Sequence, residues 1–241
     1  MRNIFVSIIL IISNLVAYSQ VQPFKYQTGA AAEDNLNRVI NVAPLSTGGM
    51  GFDSRYEGVK GSPRLFEKLL PAFVKMKSQD EYFKLNIDLD VYQNRLIFTH
   101  PKTGKQLALP ASYINEVVIN TDSIKGLFKT TASMNFEKEF KDIKFCQIIK
   151  DNPYQFIKLP VKVLNEADYK KLYGIDKRYD EFETSYKYFI LCGDSLFHQV
   201  LLNKKSLIKL FPEKKNLIEA TLSANPNLKG EEMILLILNK F

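Results

Sequence analysis

Apolar and polar residues alternate strictly through Phe83-Lys84-Leu85-Asn86-Ile87-Asp88-Leu89-Asp90. A period of two places Phe83, Leu85, Ile87 and Leu89 on one face of a strand and the polar set, Asp88 and Asp90 included, on a wet face. Tyr92-Gln93-Asn94 then reads as a turn, and Arg95 to Thr99 as a returning strand. Pro101-Lys102-Thr103-Gly104 supplies tight-turn residues ahead of a strand at Gln106 to Leu109, and Ile114 to Asn120 follows as another. Connections this short join antiparallel neighbours, because a parallel crossover needs a dozen or more residues.

More strands follow at Phe145 to Ile149 and at Ile157, Leu159, Val161 and Val163, which alternate with Lys158, Pro160 and Lys162. Proline in a strand implies an edge or a bulge there. Phe182 to Leu191 is long and aromatic, and Gly193-Asp194-Ser195 turns it back into Leu196 to Leu202. A short helix across Glu166 to Tyr173, ended by Gly174, fits between these strands.

From Asn203 the period changes to that of a helix. Asn203 is placed to cap Lys204 to Phe211, and Pro212 suits the first turn of a second helix carrying Leu217, Ile218, Thr221 and Leu222 on one side. Asn225-Pro226-Asn227 breaks it, and a third helix from Glu231 groups Met233, Ile234, Ile237, Leu238 and Phe241. Strands first and helices last predict an α+β fold: an antiparallel β-meander, as a sheet or a partly closed barrel or roll, with a C-terminal helical cap. The expected organisation is an irregular segment at 20–62 holding a short helix over Glu33 to Ile40, a β-rich domain at 63–203, and residues 204–241 capping that same domain.

The first nineteen residues have the order of a secretory signal peptide: Arg2, an uncharged apolar stretch from Ile4 to Val16, then Ala17-Tyr18-Ser19 before Gln20. The apolar stretch is shorter than the ~20 residues a spanning helix needs. The expected location is therefore outside the cytoplasm, periplasmic or extracellular, with no transmembrane segment after cleavage. Hydrophobic residues make up 46% and charged residues 24%, ordinary for a globular chain. The net charge of +7 comes from dispersed lysines such as Lys170-Lys171 and Lys204-Lys205. In an exported chain these read as solvated faces, or as contacts to an anionic glycan or an envelope component, and not to nucleic acid.

Two cysteines remain, Cys146 and Cys192, each inside an apolar strand-like run. An oxidising compartment permits a disulfide between them, and buried free thiols present the same pattern.

Gly58-Val59-Lys60-Gly61-Ser62-Pro63-Arg64-Leu65 resembles a segment of an uncharacterised group of exported Bacteroidota proteins. That group carries a G-S-P-x-L element before a β-rich region and ends in a helical tail similar to Leu207-Ile208-Lys209-Leu210-Phe211-Pro212-Glu213-Lys214-Lys215. Arg64 stands here in place of the aromatic residue expected in the element. The resemblance implies an envelope location and assigns neither activity nor site residues.

Signatures of chemistry are sparse. The cluster Gly48-Gly49-Met50-Gly51 lacks the flanking strand and helix of a phosphate loop. His100 at a turn reads as solvated and His198 as a satisfied sheet residue, and no zinc spacing joins them to the cysteines. Gly193-Asp194-Ser195 lacks the glycine pattern of a nucleophile elbow. No catalytic residue, metal set or cofactor is legible. The aromatic residues are more suggestive: Tyr179, Phe182, Tyr186, Tyr188 and Phe189 form the densest group, suited to lining a groove or building a core. The expected function is a non-enzymatic binding or envelope-associated protein. The alternative is a hydrolase of envelope or extracellular polymers acting through dispersed carboxylates.

Overall fold

A computed structural model describes residues 25–43, 58–167 and 179–241. The predicted signal peptide, the Gly48–Gly51 cluster and most of the helix expected over Glu166 to Tyr173 lie outside the described residues.

The strands are β1 (Leu70–Met76), β2 (Tyr82–Asp90), β3 (Arg95–Thr99), β4 (Gln106–Pro110), β5 (Ile114–Asn120), β6 (Lys125–Thr130), β7 (Phe145–Lys150), β8 (Phe156–Asn165), β9 (Glu181–Leu191) and β10 (Phe197–Val200). They form one open antiparallel sheet in the order β10-β9-β8-β7-β6-β5-β1-β2-β3-β4. Helix α1 (Gly29–Val42) precedes the sheet, and α2 (Lys204–Leu210), α3 (Lys215–Ala224) and α4 (Gly230–Leu238) follow it. The fold is α+β with a helical cap.

Two meanders, β1 to β4 and β5 to β10, join where β5 pairs with β1. Only a 3₁₀ turn, Ala111–Tyr113, links β4 to β5, although three strands separate them in the sheet. Four chain steps from Pro110 to Ile114 reach at most about 14 Å, whereas four strand spacings in a flat sheet are about 19 Å. The first half of the sheet is therefore strongly coiled. Ala111 N–H donates to the Asn94 carbonyl at 2.9 Å and Lys77 N–H to the Tyr113 carbonyl at 3.0 Å, tying the turn to both sides of the coil. Its concave side holds the largest core cluster, including Leu85, Ile87, Leu96, Phe98 and Ile114.

The second half is covered on both faces. Phe156, Tyr188 and Ile190 pack against Leu207, Ile218, Ile234 and Ile237 of the helical cap. Ile157, Leu159 and Phe189 turn to the opposite face and meet Phe136 and Phe140 from the segment before β7. Asn203 Oδ1 accepts the Ser206 N–H at 2.9 Å, so the cap begins as its sequence predicts. Pro212 opens a 3₁₀ turn that leads into α3.

The helix expected over Glu33 to Ile40 is present as α1, four residues longer at its start and two at its end, and it buries Leu36, Val39 and Ile40 in the first cluster. Two other expectations need correction. Asp88 and Asp90 are not on a wet face, being 0% and 6% exposed. β1 pairs with β2 only as far as Leu70↔Ile87, and the preceding chain takes over its place: Leu65 N–H bonds the Leu89 carbonyl, and Arg64 bridges Asp90. That strap covers the end of β2. His100 is also buried rather than solvated. Its Nδ1 accepts the N–H groups of Lys102 and Thr103, and Nε2 lies 3.1 Å from Asn37 Oδ1 of α1. A buried ring thus caps the hairpin after β3.

Pro160 sits where a proline belongs. β7 pairs with β8 only as far as Lys158, so Pro160 lies in the stretch of β8 beyond that pairing.

Candidate functional site

The two covers of the sheet leave a gap between them. The strap carrying Leu65 and Phe66 closes one side, and the N-terminal turn of α4 stands on the other. Over β6 to β9 this leaves an open groove of about 240 Å³. Its walls are Leu65, Phe66, Ile124 and Phe128, and its floor is Gln147, Lys158, Pro160 and Tyr186. Phe66 meets Phe128 edge-on with centroids 5.8 Å apart.

The floor follows from strand register. Gln147 pairs with Lys158, Lys158 with Tyr188, and Pro160 with Tyr186. Even-numbered residues of β8 and β9 therefore share the cap face. Lys158 Nζ lies 2.8 Å from Glu231 Oε1 and 4.2 Å from the centroid of the Tyr186 ring. Tyr188 donates its hydroxyl to the same Glu231 oxygen at 2.7 Å. Burial, reinforced by that carboxylate, pushes the Tyr188 hydroxyl above its usual pKa, so it stays a neutral donor. Three side chains from β8, β9 and α4 thus lock one another beside the groove. Tyr186, 45% exposed, remains available to a ligand.

The five aromatic residues singled out from sequence are dispersed by the fold. Tyr186 lines the groove and Tyr188 stands in its supporting network. Phe182 is buried against Tyr92, and Phe189 packs with Phe136 on the opposite face. Tyr179 is exposed near the outer end of β9, where its hydroxyl pairs with Lys60 Nζ at 3.3 Å. Sequence reasoning did not identify Phe66, Phe128, Gln147, Lys158 or Glu231. The alternating lysines at 158 and 162 in an otherwise apolar strand were the only local signal.

Cys146 and Cys192 are free thiols and do not form the bridge that was one of the two expectations. Cys146 packs with Ile157 and Leu159, whereas Cys192 packs on the helical cap, so the two face opposite sides of the sheet. Burial pushes the Cys146 thiol up to about 12 and, with Asp194 and Glu213 adding to it, that of Cys192 to about 11. Neither is a nucleophile at neutral pH.

Other polar constellations serve the fold. His198 Nε2 lies 2.7 Å from Asp194 Oδ2 and its Nδ1 lies 3.4 Å from Glu137 Oε2, joining the β9–β10 hairpin to the segment covering the opposite face. Asp90 Oδ1 accepts the N–H groups of Tyr92 and Gln93 and so caps the β2–β3 turn. Asp88 Oδ1 accepts from Phe66 and Leu89, while its Oδ2 is buried without a hydrogen bond. A second hollow of about 310 Å³ lies beside Met134, Leu191 and Phe197, with Ser133, Asn135 and Gln155 at its rim. It is the larger of the two, but it gathers none of the exposed aromatic rings.

Among the described residues, no group of three or more His, Cys, Asp or Glu is arranged to hold a metal, and no helix is long and apolar enough to cross a membrane. No protein-family model matches this chain, and neither a curated protein nor a solved structure matches it.

Proposed function

We propose that this chain is an exported binding protein whose ligand, a small molecule or one unit of an envelope polymer such as a glycan, lies in the groove between the strap and α4. The observation that carries the reading is the composition of the groove. Apolar and aromatic walls surround a few polar groups, Gln147 and Lys158, whose positions are set by strand register, as small-ligand sites require. The signal-like N-terminus supports export.

The hydrolase alternative needs two carboxylates about 5–10 Å apart in a cleft. Glu231, beside the groove, is engaged by Lys158 and Tyr188, and Asp88 and Asp90 are sealed beneath the strap. The geometry favours binding.

Amide-resolved NMR titration with a panel of monosaccharides tests the reading. Ligand should shift the amides of Phe66, Gln147 and Tyr186. Tyr186→Ala should weaken binding at least tenfold with an unchanged melting temperature, because the ring is half exposed. Binding indifferent to Tyr186→Ala would remove the groove from consideration.

A further inference from the structure

We propose that the strap from Arg64 to Phe66 is a proton-controlled wall of the groove. It stays closed while Asp88 is protonated and opens more often once Asp88 is charged. The consequence for binding rests on the groove being the ligand site; the movement of the strap does not.

Asp88 is wholly buried, and its Oδ2 is the only buried side-chain nitrogen or oxygen among the described residues that has no hydrogen bond. Oδ1 already accepts two N–H groups, from Phe66 of the strap at 3.1 Å and from Leu89 at 2.7 Å. A charge on this carboxyl leaves a bare oxygen out of water, which costs far more than a neutral hydroxyl in the same place. The proton therefore belongs on Oδ2. Lifting the strap admits water to that oxygen and removes the penalty, so protonation favours the closed strap and deprotonation the open one.

The backbone allows the movement to stay local. Residues 64–66 are half-buried and meet β2 through few contacts. These are the Leu65 N–H on the Leu89 carbonyl at 2.8 Å, the Phe66 N–H on Asp88, and the bridge between Arg64 and Asp90. Left-handed residues flank the strap on both sides, Gly61 at φ 80° and Glu67 at φ 58°. Glu67 carries a side chain, so its conformation is strained in the closed strap and relaxes on opening.

Neighbouring charges leave the sign unchanged. Burial raises the Asp88 carboxyl to about 6 and Asp90 adds to the rise, while the Phe66 and Leu89 N–H groups and Arg64 oppose it without prevailing. On β3, Arg95 stands opposite Asp90, and the residue opposite Asp88 is Ile97. Lys75 of β1 lies far along the strand, opposite Tyr82, and Glu67 and Lys68 of the strap are exposed. Between the ordinary value of 3.8 and about 6, the closed-to-open ratio can fall by up to about a hundredfold.

Amide hydrogen exchange of the ligand-free chain from Gln20 onward, corrected for the intrinsic pH dependence of exchange, tests the proposal between pH 4 and 7.5. Protection of the Leu65 and Phe66 amides should fall by about thirty- to a hundredfold as pH rises. Low guanidinium should leave their exchange unchanged, the mark of a local opening, whereas Val117, paired on both sides in the sheet, should follow global unfolding. Asp88→Asn keeps an acceptor for both N–H groups and cannot ionise, so its strap should stay protected throughout. Glu67→Gly should raise protection about fivefold at every pH and leave the fall in place. Protection independent of pH, exchange that tracks guanidinium as Val117 does, or an Asp88→Asn chain with the parent profile overturns the proposal. The profile is read without ligand, so failure of every monosaccharide to bind removes the groove's role and is told apart from failure of the strap to move. A bound ligand whose affinity does not fall as Phe66 loses protection overturns the coupling.

Discussion

Phe66 donates its backbone N–H to Asp88 Oδ1 at 3.1 Å, so a buried carboxylate on β2 holds the strap that forms one wall of the groove. The second oxygen of Asp88 has no hydrogen bond. Burial pushes this carboxyl up to about 6, with nearby Asp90 adding to it and the Phe66 and Leu89 N–H groups and Arg64 opposing it. Asp90 shifts the same way, again chiefly through burial.

A folded-state pKa raised above the unfolded value of about 3.9 means that the folded protein holds its proton more tightly. The associated stability is fully present below pH ~4 and is lost as pH rises through about 6. Two pKa units correspond to roughly 3 kcal/mol. Denaturant midpoints should therefore fall between pH 4 and 6.5, after allowance for the remaining carboxylates, and Asp88→Asn should flatten that fall. An Asp88→Asn protein with the parent pH profile would show that Asp88 is not the titrating group.

The thiols give a second prediction. Intact folded protein should react slowly with Ellman's reagent at pH 8, since burial keeps both thiols protonated. Unfolding in guanidinium without reductant should release two thiols per chain. Recovering none would mean that the cysteines are bridged, which their placement on opposite faces does not allow.

The helical cap should be inseparable from the sheet. Ile237 is 1% exposed and shares a cluster with Phe156 and Ile190. Ile237→Asp should cost on the order of 3–5 kcal/mol, combining lost packing with a buried charge. Lys240→Asp, at an exposed position, should change stability by about 0.5 kcal/mol or less. Ending the chain at Asn203 should abolish cooperative unfolding. Equal effects of the two substitutions in chemical denaturation would contradict the packing of α4.

The proposed export predicts a processed N-terminus. Protein recovered from the cells that naturally make it should begin at Gln20, or at the pyroglutamate formed from it, by intact mass. A retained Met1 would refute cleavage.

Much of the fold was legible because its signals are local. The period of two located β2, β3 and β5 closely, and Asn203 capped α2 because a side-chain oxygen within reach of its own helix N–H groups needs no distant partner. β6, Lys125–Thr130, escaped because Lys125-Gly126-Leu127 and Lys129-Thr130 carry little alternation. α1 was only partly read, since Gly29 and the three alanines after it carry no facial pattern.

The sequence by itself determined which residues of each strand share a face. That Lys158, Pro160 and Lys162 oppose Ile157, Leu159 and Val161 follows from the pleat alone. Tertiary structure decided what each face meets. Asp88 is on the polar side of its strand by alternation, yet it is buried because the strap from Arg64 to Phe66 crosses the end of β2. Cys146 and Cys192 were each apolar by context, but only the register of the intervening strands turned them to opposite sides of the sheet. The groove exists because two covers, distant in sequence, stop short of each other over β6 to β9. Neither cover encodes that gap, since it depends on where the other ends.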